Sequence, residues 1–214
     1  MLHFLRFSFV KAVVAYGLSL LRSPRGSSEF QYFPFDINKP LPLGSAELME
    51  QLCGALEELA VHYRITDGTI LGLYRDKRFI PHDTDIDIDI LDCADQAKVH
   101  RCMRSFGMHL GRRAIIYGKI QQAAYFSDDY IIFDINYWYR DGDRVVNYSE
   151  PGYLREQPAD YFSELGTLQW NGRTYPVPGK LEEWLAFRYG KDWKIPKRSK
   201  VDWKQECFDL VRLD

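Results

Sequence analysis

Cysteine is scarce in this 214-residue chain. Cys53, Cys93, Cys102 and Cys207 are the only four, they are scattered, and no C-x-x-C occurs. That excludes a small disulfide framework and argues against a zinc knuckle. Isolated cysteines of this kind read as small buried hydrophobes that fit a reducing compartment. An excess of charge of one sign is missing too: 28 Lys and Arg stand against 30 Asp and Glu, a net charge of −2. No global basic charge therefore points to nucleic acid as a partner. No apolar run reaches the ~20 residues that cross a bilayer. There is neither an internal repeat nor a low-complexity segment. What is present is an ordinary globular composition, 46% hydrophobic and 27% charged, long enough to bury a core. Aromatic residues make up 15%, led by Tyr and Phe, which fill cores and also form platforms for sugars and bases.

The near-neutral total hides segregation. Between Asp76 and Asp95 there are seven acids against Lys77 and Arg78; between Lys180 and Lys204 there are eight bases against four acids. An acidic centre and a basic C-terminal lobe suit a metal site facing a phosphate-rich ligand. Two solvated surfaces that never meet remain the alternative. Residues 1–28 hold Arg6, Lys11, Arg22 and Arg25 and no acid, and Phe7–Leu21 is apolar but for Ser8, Lys11 and Ser19. A basic, apolar helix of that length suits an anionic membrane surface. A helix docked on the domain and a short signal anchor are the rival readings. Residues 22–28 then form a linker, which divides the chain into an N-terminal segment, 1–28, and one domain, 29–214.

Helical spacing of Leu48, Leu52, Ala55, Leu56 and Leu59 predicts an amphipathic helix over 46–62 with Ser45 as its N-cap. An extended lead-in with three prolines precedes it, from Phe30 to Pro42. A strand and turn at Arg64–Thr69, a helix at Ile70–Asp76, a strand at Ile86–Leu91 and a helix at Ala94–Phe106 follow. Strands are expected around Ala114–Tyr117, Gln121–Phe126, Tyr130–Tyr137 and Arg144–Tyr148. Asn171-Gly172 marks a hairpin between Leu168–Trp170 and Arg173–Val177. Lys180–Tyr189 reads as a helix closed by Gly190. The order implies an α+β fold: a small mixed sheet flanked by helices, then a C-terminal hairpin and helical segment.

The informative stretch runs from Phe79 to Ile90. On a strand, residues two apart share a face, so Asp83, Asp85, Asp87 and Asp89 point one way and Ile86, Ile88 and Ile90 enter the core. Asp is a poor strand former and stacked like charges repel. A hard divalent cation, Mg²⁺ or Mn²⁺, offsets that repulsion best, and two such carboxylates suit phosphoryl-transfer chemistry. A solvated acidic edge is the bland alternative, against which the isoleucine face speaks. Asp134 interrupts the apolar run Tyr130–Tyr137, where an acid is costly unless paired or metal-bound; a strand-end position at a loop is its alternative. Asp67-Gly68-Thr69 enters a helix, and backbone N–H groups there can hold a phosphate.

The run Thr66-Asp-Gly-Thr-Ile-Leu-Gly-Leu-Tyr-Arg75, continuing through Phe79-Ile-Pro-His-Asp-Thr-Asp-Ile-Asp-Ile88, resembles the signature of the LicD/fukutin-type phosphotransferases. Phe133-Asp-Ile135 is similar to that family's third-acid strand, and Val177–Pro196 to its C-terminal segment, so the resemblance covers roughly residues 45–200. It implies a nucleotidyltransferase-like fold and transfer of a phospho-alcohol, such as phosphocholine or ribitol phosphate, from a CDP-activated donor to a glycan hydroxyl. By resemblance Asp85, Asp87 and Asp134 are the catalytic, metal-binding acids, Gly68 and Thr69 the phosphate turn, and Arg75 the arginine after the Leu-Gly pair. The family usually has Trp before the acids and an unbroken acid triplet. Here His82 and Thr84 stand instead, and His82 bears on the donor pocket. Arg188, Lys191 and Lys194, flanked by Tyr189 and Trp193, are the basic candidates for the donor diphosphate or an anionic acceptor. The alternatives are nucleotidyl transfer from an NTP to a sugar, protein or RNA, and an inactive carbohydrate-binding scaffold. The expected setting is cytoplasmic, peripheral to the inner membrane face where a lipid-linked glycan would gather, with a membrane anchor as the rival.

Overall fold

The computed structural model describes residues 27–92, 96–150, 153–197 and 207–212. The N-terminal apolar segment, most of the linker and Cys93 lie outside these, as do Arg198, Lys200 and Lys204. The elements run β1 (Ser27–Gln31), α1 (Ser45–Glu58), β2 (Tyr63–Ile65), α2 (Asp67–Arg75), β3 (Asp85–Leu91), α3 (Gln96–Ser105), β4 (His109–Ile116), β5 (Lys119–Phe126), β6 (Ile132–Asp141), β7 (Arg144–Glu150), β8 (Tyr153–Pro158), α4 (Asp160–Ser163), β9 (Gly166–Trp170), β10 (Arg173–Val177), α5 (Leu181–Tyr189) and β11 (Leu210–Arg212). This is the mixed α+β architecture expected, with the β9–β10 hairpin and α5 following the main sheet. β1 takes up Ser27 and Ser28, which the sequence reading had placed in the linker.

Nine strands form the main sheet. Seven follow the order β1-β4-β5-β6-β7-β8-β11, and β3 with its neighbour β2 joins β6 from the side. β6 is the hub: Ile132–Asn136 pairs antiparallel with β5, Ile132–Trp138 pairs parallel with β3, and Tyr139–Asp141 continues into β7. Parallel pairing requires a long crossover, which α3 and the β4–β5 hairpin supply. The alternation in β3 sends Ile86, Ile88 and Ile90 into the core with Phe133 and Ile135 of β6 and Ala123 and Tyr125 of β5. Met49, Leu52 and Leu56 of α1 and Val99 and Met103 of α3 cover that face. Each fully buried Ile or Leu contributes roughly 1.5–3 kcal/mol, so the two helices are fixed to the sheet by their apolar stripes. Acidic groups alternating with those isoleucines are left on the opposite face.

Some local expectations shift. Gly44, in the left-handed region at φ 89°, precedes α1; Ser45 is its first residue and its hydroxyl donates to the Pro42 carbonyl instead of capping an N–H. Asn171 (φ 50°) and Gly172 (φ 81°) make the β9–β10 turn, which needs positive φ at both positions. Cys53, Cys102 and Cys207 are buried and unpaired with one another.

Candidate functional site

The parallel register places Asp87 of β3 directly beside Asp134 of β6, with Asp85 one row away next to Ile132. One carboxylate oxygen each from Asp85, Asp87 and Asp134 lies within 4.8 Å of the other two. Burial pushes all three carboxyls above the ordinary carboxylate range, and their mutual repulsion adds to it for Asp85 and Asp87. Asp134 is only 2% exposed. Its Oδ2 accepts from Arg112 of β4 at 2.6 Å and from Gln122 of β5 at 2.9 Å, while its buried Oδ1 has no hydrogen-bond partner among the described residues. That division holds the carboxyl in one orientation and leaves a single oxygen free beside Asp85 and Asp87. Three oxygen donors, crowded and short of positive charge, with one orphaned oxygen, fit a hard divalent cation such as Mg²⁺ or Mn²⁺. Arg112 and Gln122 escaped the sequence reading because nothing in their local pattern marks them; only the pairing of β4, β5 and β6 brings them to Asp134.

The neighbouring turn is built on the same strand. The Thr66 N–H donates to the Asp87 carbonyl at 3.1 Å, and the fully buried Thr69 hydroxyl accepts the Asp87 N–H at 2.8 Å. α2 therefore starts locked to β3 at the residue that carries the acid. Gly68 lies close against Asp83: a Cβ there would stand 2.6 Å from Asp83 Oδ2, so that side chain would have to shift. Burial pushes the Asp83 carboxyl up to about 6, and its Oδ2 is another buried oxygen without a hydrogen-bond partner among the described residues.

Asp67, the residue before Gly68, anchors a buried ionic cluster. Arg155 of β8 reaches both its oxygens at 3.1 Å, and Arg188 of α5 donates from Nε at 2.8 Å. Asp209, beside β11, receives Arg155 at 3.1 Å. Burial alone would raise the Asp67 carboxyl, but the two guanidinium groups overrule it and hold it well below its ordinary value. Two acids and two arginines leave the cluster without net charge.

The remaining expected site residues fall in different places. Asp89 shares the strand face but not the acid centre. β2 sets Arg64 opposite it, and their buried ion pair at 2.8 Å is completed by the Tyr161 carbonyl and Gln157 Oε1. The four-acid ladder expected from the sequence is thus broken at both ends: Asp83 precedes β3, which begins at Asp85, and a cation from β2 neutralises Asp89. Arg75 sits at the far end of α2 from Gly68, bonded to Asp76 and the Trp193 carbonyl. His82 is exposed just before Asp83. Arg188 reaches the turn but is engaged by Asp67. Lys191 is exposed, and Lys194 pairs at the surface with Glu182 at 3.2 Å. Trp193 is buried against Tyr74, while Tyr189 is half-buried beneath the Arg188 guanidinium. No helix among the described residues is long and apolar enough to cross a membrane.

Comparison with known proteins agrees with this geometry. Residues 60–180 match the model of the LicD/FKTN/FKRP family, nucleotidyltransferase domain. The matched span takes in Gly68, Thr69 and all three clustered acids. The ribitol-5-phosphate transferase FKTN of Macaca fascicularis is 27% identical over 165 residues, and its Homo sapiens counterpart 26%. Each alignment covers 74% of this chain and 35% of the relative, so the chain spans about a third of the length of the curated relatives it matches. Among solved structures, the lincosamide antibiotic adenylyltransferase LnuA, lincomycin-bound, superposes with a TM-score of 0.50 at 19% identity, covering 71% of this chain and 89% of its own. That likeness is one of fold: a nucleotidyltransferase-type sheet with its helices.

Proposed function

Because the chain belongs to the LicD/FKTN/FKRP nucleotidyltransferase-domain family, we propose that it transfers a phospho-alcohol from a CDP-linked donor to a glycan hydroxyl with the help of a divalent cation. The observation that carries this reading is the meeting of Asp85, Asp87 and Asp134 within 4.8 Å beside the Gly68–Thr69 turn. The fukutin relatives, named as ribitol-5-phosphate transferases, support a phospho-alcohol as the transferred group.

Asp85, Asp87 and the free Oδ1 of Asp134 would hold Mg²⁺ or Mn²⁺, which screens phosphate charge and polarises the phosphoryl oxygens when bound. Thr69 fixes the Asp87 backbone, and Arg112 and Gln122 fix the Asp134 carboxyl, so the acids are set before the donor arrives. The N-terminal turn of α2 presents N–H groups and the positive end of its dipole toward the donor diphosphate. In the reaction the acceptor oxygen bonds to the phosphorus that bears the alcohol. The bond from that phosphorus to the bridging oxygen breaks, and CMP leaves with the electron pair. The acceptor proton passes to a carboxylate of the acid cluster. An acceptor carried on a membrane lipid would suit the basic, apolar residues 1–22.

The test is a panel of CDP-ribitol, CDP-glycerol and CDP-choline with Mg²⁺ or Mn²⁺, read as released CMP, with ATP and CTP as controls. The expected result is metal-dependent CMP release from one CDP-alcohol and its loss in Asp87→Asn. Release of pyrophosphate from an NTP instead, with no CMP from any CDP-alcohol, would replace this reading with nucleotidyl transfer.

A further inference from the structure

Beyond Asp134, on the side of the acids away from Gly68, the catalytic face carries a group of rings that the chemistry described so far does not use. Asp85, Ile132, Phe126 and His109 form one row across β3, β6, β5 and β4. With strands about 4.8 Å apart, Phe126 stands roughly 10 Å from Asp85 along that row. Two residues back along β5, Ala124 pairs with Asp134. Ala123 and Tyr125 point to the core, so Phe126 shares the face of the acids.

The segment after β1 crosses this rim. It begins with the Tyr32 N–H on the Gly111 carbonyl of β4 and ends with the Leu41 N–H on the Asp83 carbonyl at 2.8 Å. Between these two anchors it lays Phe33 and Phe35 on Phe126, with ring centroids 5.7 and 5.5 Å away. Gly111 makes room: a Cβ there would stand 2.4 Å from the Phe33 ring. From the β5–β6 loop Tyr130 adds a fourth ring, its centroid 4.8 Å from that of Phe35. The loop closes through hydrogen bonds between Ser127 and both Tyr130 and Ile131, and it holds Tyr130 at φ 67° with 60% of the residue exposed.

A large aromatic held in the left-handed region and still presented to solvent is a conformation with a cost. Acids outnumber bases around it, Lys39 being the cation close to Asp36. Asp36 follows Phe35, and Asp128 and Asp129 precede Tyr130; all three are exposed, Asp128 pairing with His109 at 3.0 Å. Such a rim repels phosphates, while its carboxylates accept hydrogen bonds from hydroxyl groups. Ring faces flanked by acceptors fit a sugar, whose C–H faces carry partial positive charge toward the rings.

We propose that the shelf made by the exposed Tyr130 ring, with the partly exposed Phe35 beside it and Phe33 and the buried Phe126 as its backing, is the acceptor subsite and seats an uncharged sugar ring of the glycan. The inference rests on the transferase reading of the acid site for its direction. In-line displacement puts nucleophile and leaving group on opposite sides of the phosphorus. The α2 turn takes the donor diphosphate on one side of the acids, so the acceptor enters from the other, where the shelf lies.

Two readouts on the full chain with Mg²⁺ test it. The first is saturation-transfer NMR with methyl glycosides of the neutral hexoses and N-acetylhexosamines. The second is CMP release from the active CDP-alcohol, measured with and without the sugar that binds. The expected result is that Tyr130→Ala weakens sugar binding and raises the acceptor KM at least tenfold. Donor KM and CMP release into water should stay unchanged, and Tyr130→Phe should behave as wild type. Phe35→Leu, which keeps bulk and removes the ring, gives a second variant that need not share any folding defect. A wild type that binds no neutral sugar overturns the proposal, as does an unchanged acceptor KM in both variants. A rise in donor KM instead would assign the shelf to the nucleobase. Sugar binding that depends on Tyr130, without CMP release from any CDP-alcohol, would uphold the shelf and sink the transferase reading.

Discussion

Replacing Asp85 by Asn should make the metal-free protein more stable while removing its response to metal. Asp85 faces Asp87 and Asp134 with oxygens within 4.8 Å. At an effective dielectric of about 20, each such pair of charges repels by roughly 3 kcal/mol. Partial protonation and water around the half-buried Asp85 relieve most of this, so the net gain expected from Asp85→Asn in chelator is about 1–2 kcal/mol. For a protein of this size that raises Tm by roughly 2–8 °C. The pH dependence follows from the direction of the shifts. Asp83 is raised from 3.8 to about 6, and Asp85 and Asp87 well above 3.8. A carboxyl with a raised folded pKa binds more protons folded than unfolded, so its stabilisation is full at low pH and is lost as pH climbs through the folded value. The metal-free wild type should therefore lose stability from about pH 4 upward, and Asp85→Asn should lose less. Saturating Mg²⁺ should reverse the order, since binding at a hundred times Kd adds about 2.7 kcal/mol to the wild type. Thermal unfolding across pH, in chelator and in Mg²⁺, measures each quantity. A lower Tm for Asp85→Asn in chelator at neutral pH, or an undiminished Mg²⁺ shift, would refute the crowded-carboxylate argument.

Arg64→Met should leave Asp89 buried and unpaired, costing about 3–5 kcal/mol, seen as a Tm lower by roughly 10 °C. Adding Asp89→Leu should recover most of it, whereas a double variant no more stable than the single would show that the pair is not the source. For residues 1–22, flotation with anionic and neutral liposomes should carry the full chain up with anionic vesicles and leave a chain beginning at Glu29 in the soluble fraction. If neither floats, the membrane-surface reading of that segment fails.

The parts of this molecule written in local patterns were legible. The period-two alternation of β3 announced which isoleucines are buried, and the acid inside the apolar run of β6 marked Asp134. Asn171-Gly172 announced its hairpin. Features that depend on which strand lies beside which were not legible. Nothing near Asp89 distinguishes it from Asp85 or Asp87; only the antiparallel register of β2 delivers Arg64 to it. β4 was read as starting near Ala114, because Gly111-Arg112-Arg113 breaks the apolar pattern. The strand in fact begins at His109 and carries Arg112 to the site. β8 and β11 carry no local signature for a related reason: Arg155 and Gln157 are polar and interrupt any apolar alternation, yet are buried among partners. The resemblance to a family favours one of the chemistries that share such acids, a choice that spacing alone left open.

The ionic cluster under the α2 turn has a consequence for the order in which this protein matures. Asp67 meets Arg155 and Arg188 at sequence separations of 88 and 121, and Arg155 meets Asp209 at a separation of 54. During synthesis the acid-rich stretch from Asp67 to Asp89 leaves the ribosome long before any of these arginines. Contacts so distant in sequence close late, because loop entropy must be overcome first. The segment around Gly68 and Thr69 should therefore reach its working shape only after β8, α5 and β11 have docked, which pulse-labelled hydrogen exchange of the refolding chain would show as late protection of that turn. A nascent chain lacking them would carry Asp67 as an uncompensated charge in its interior and would hold the turn open. Competence then arrives at the end of folding rather than with the residues that bear the motif.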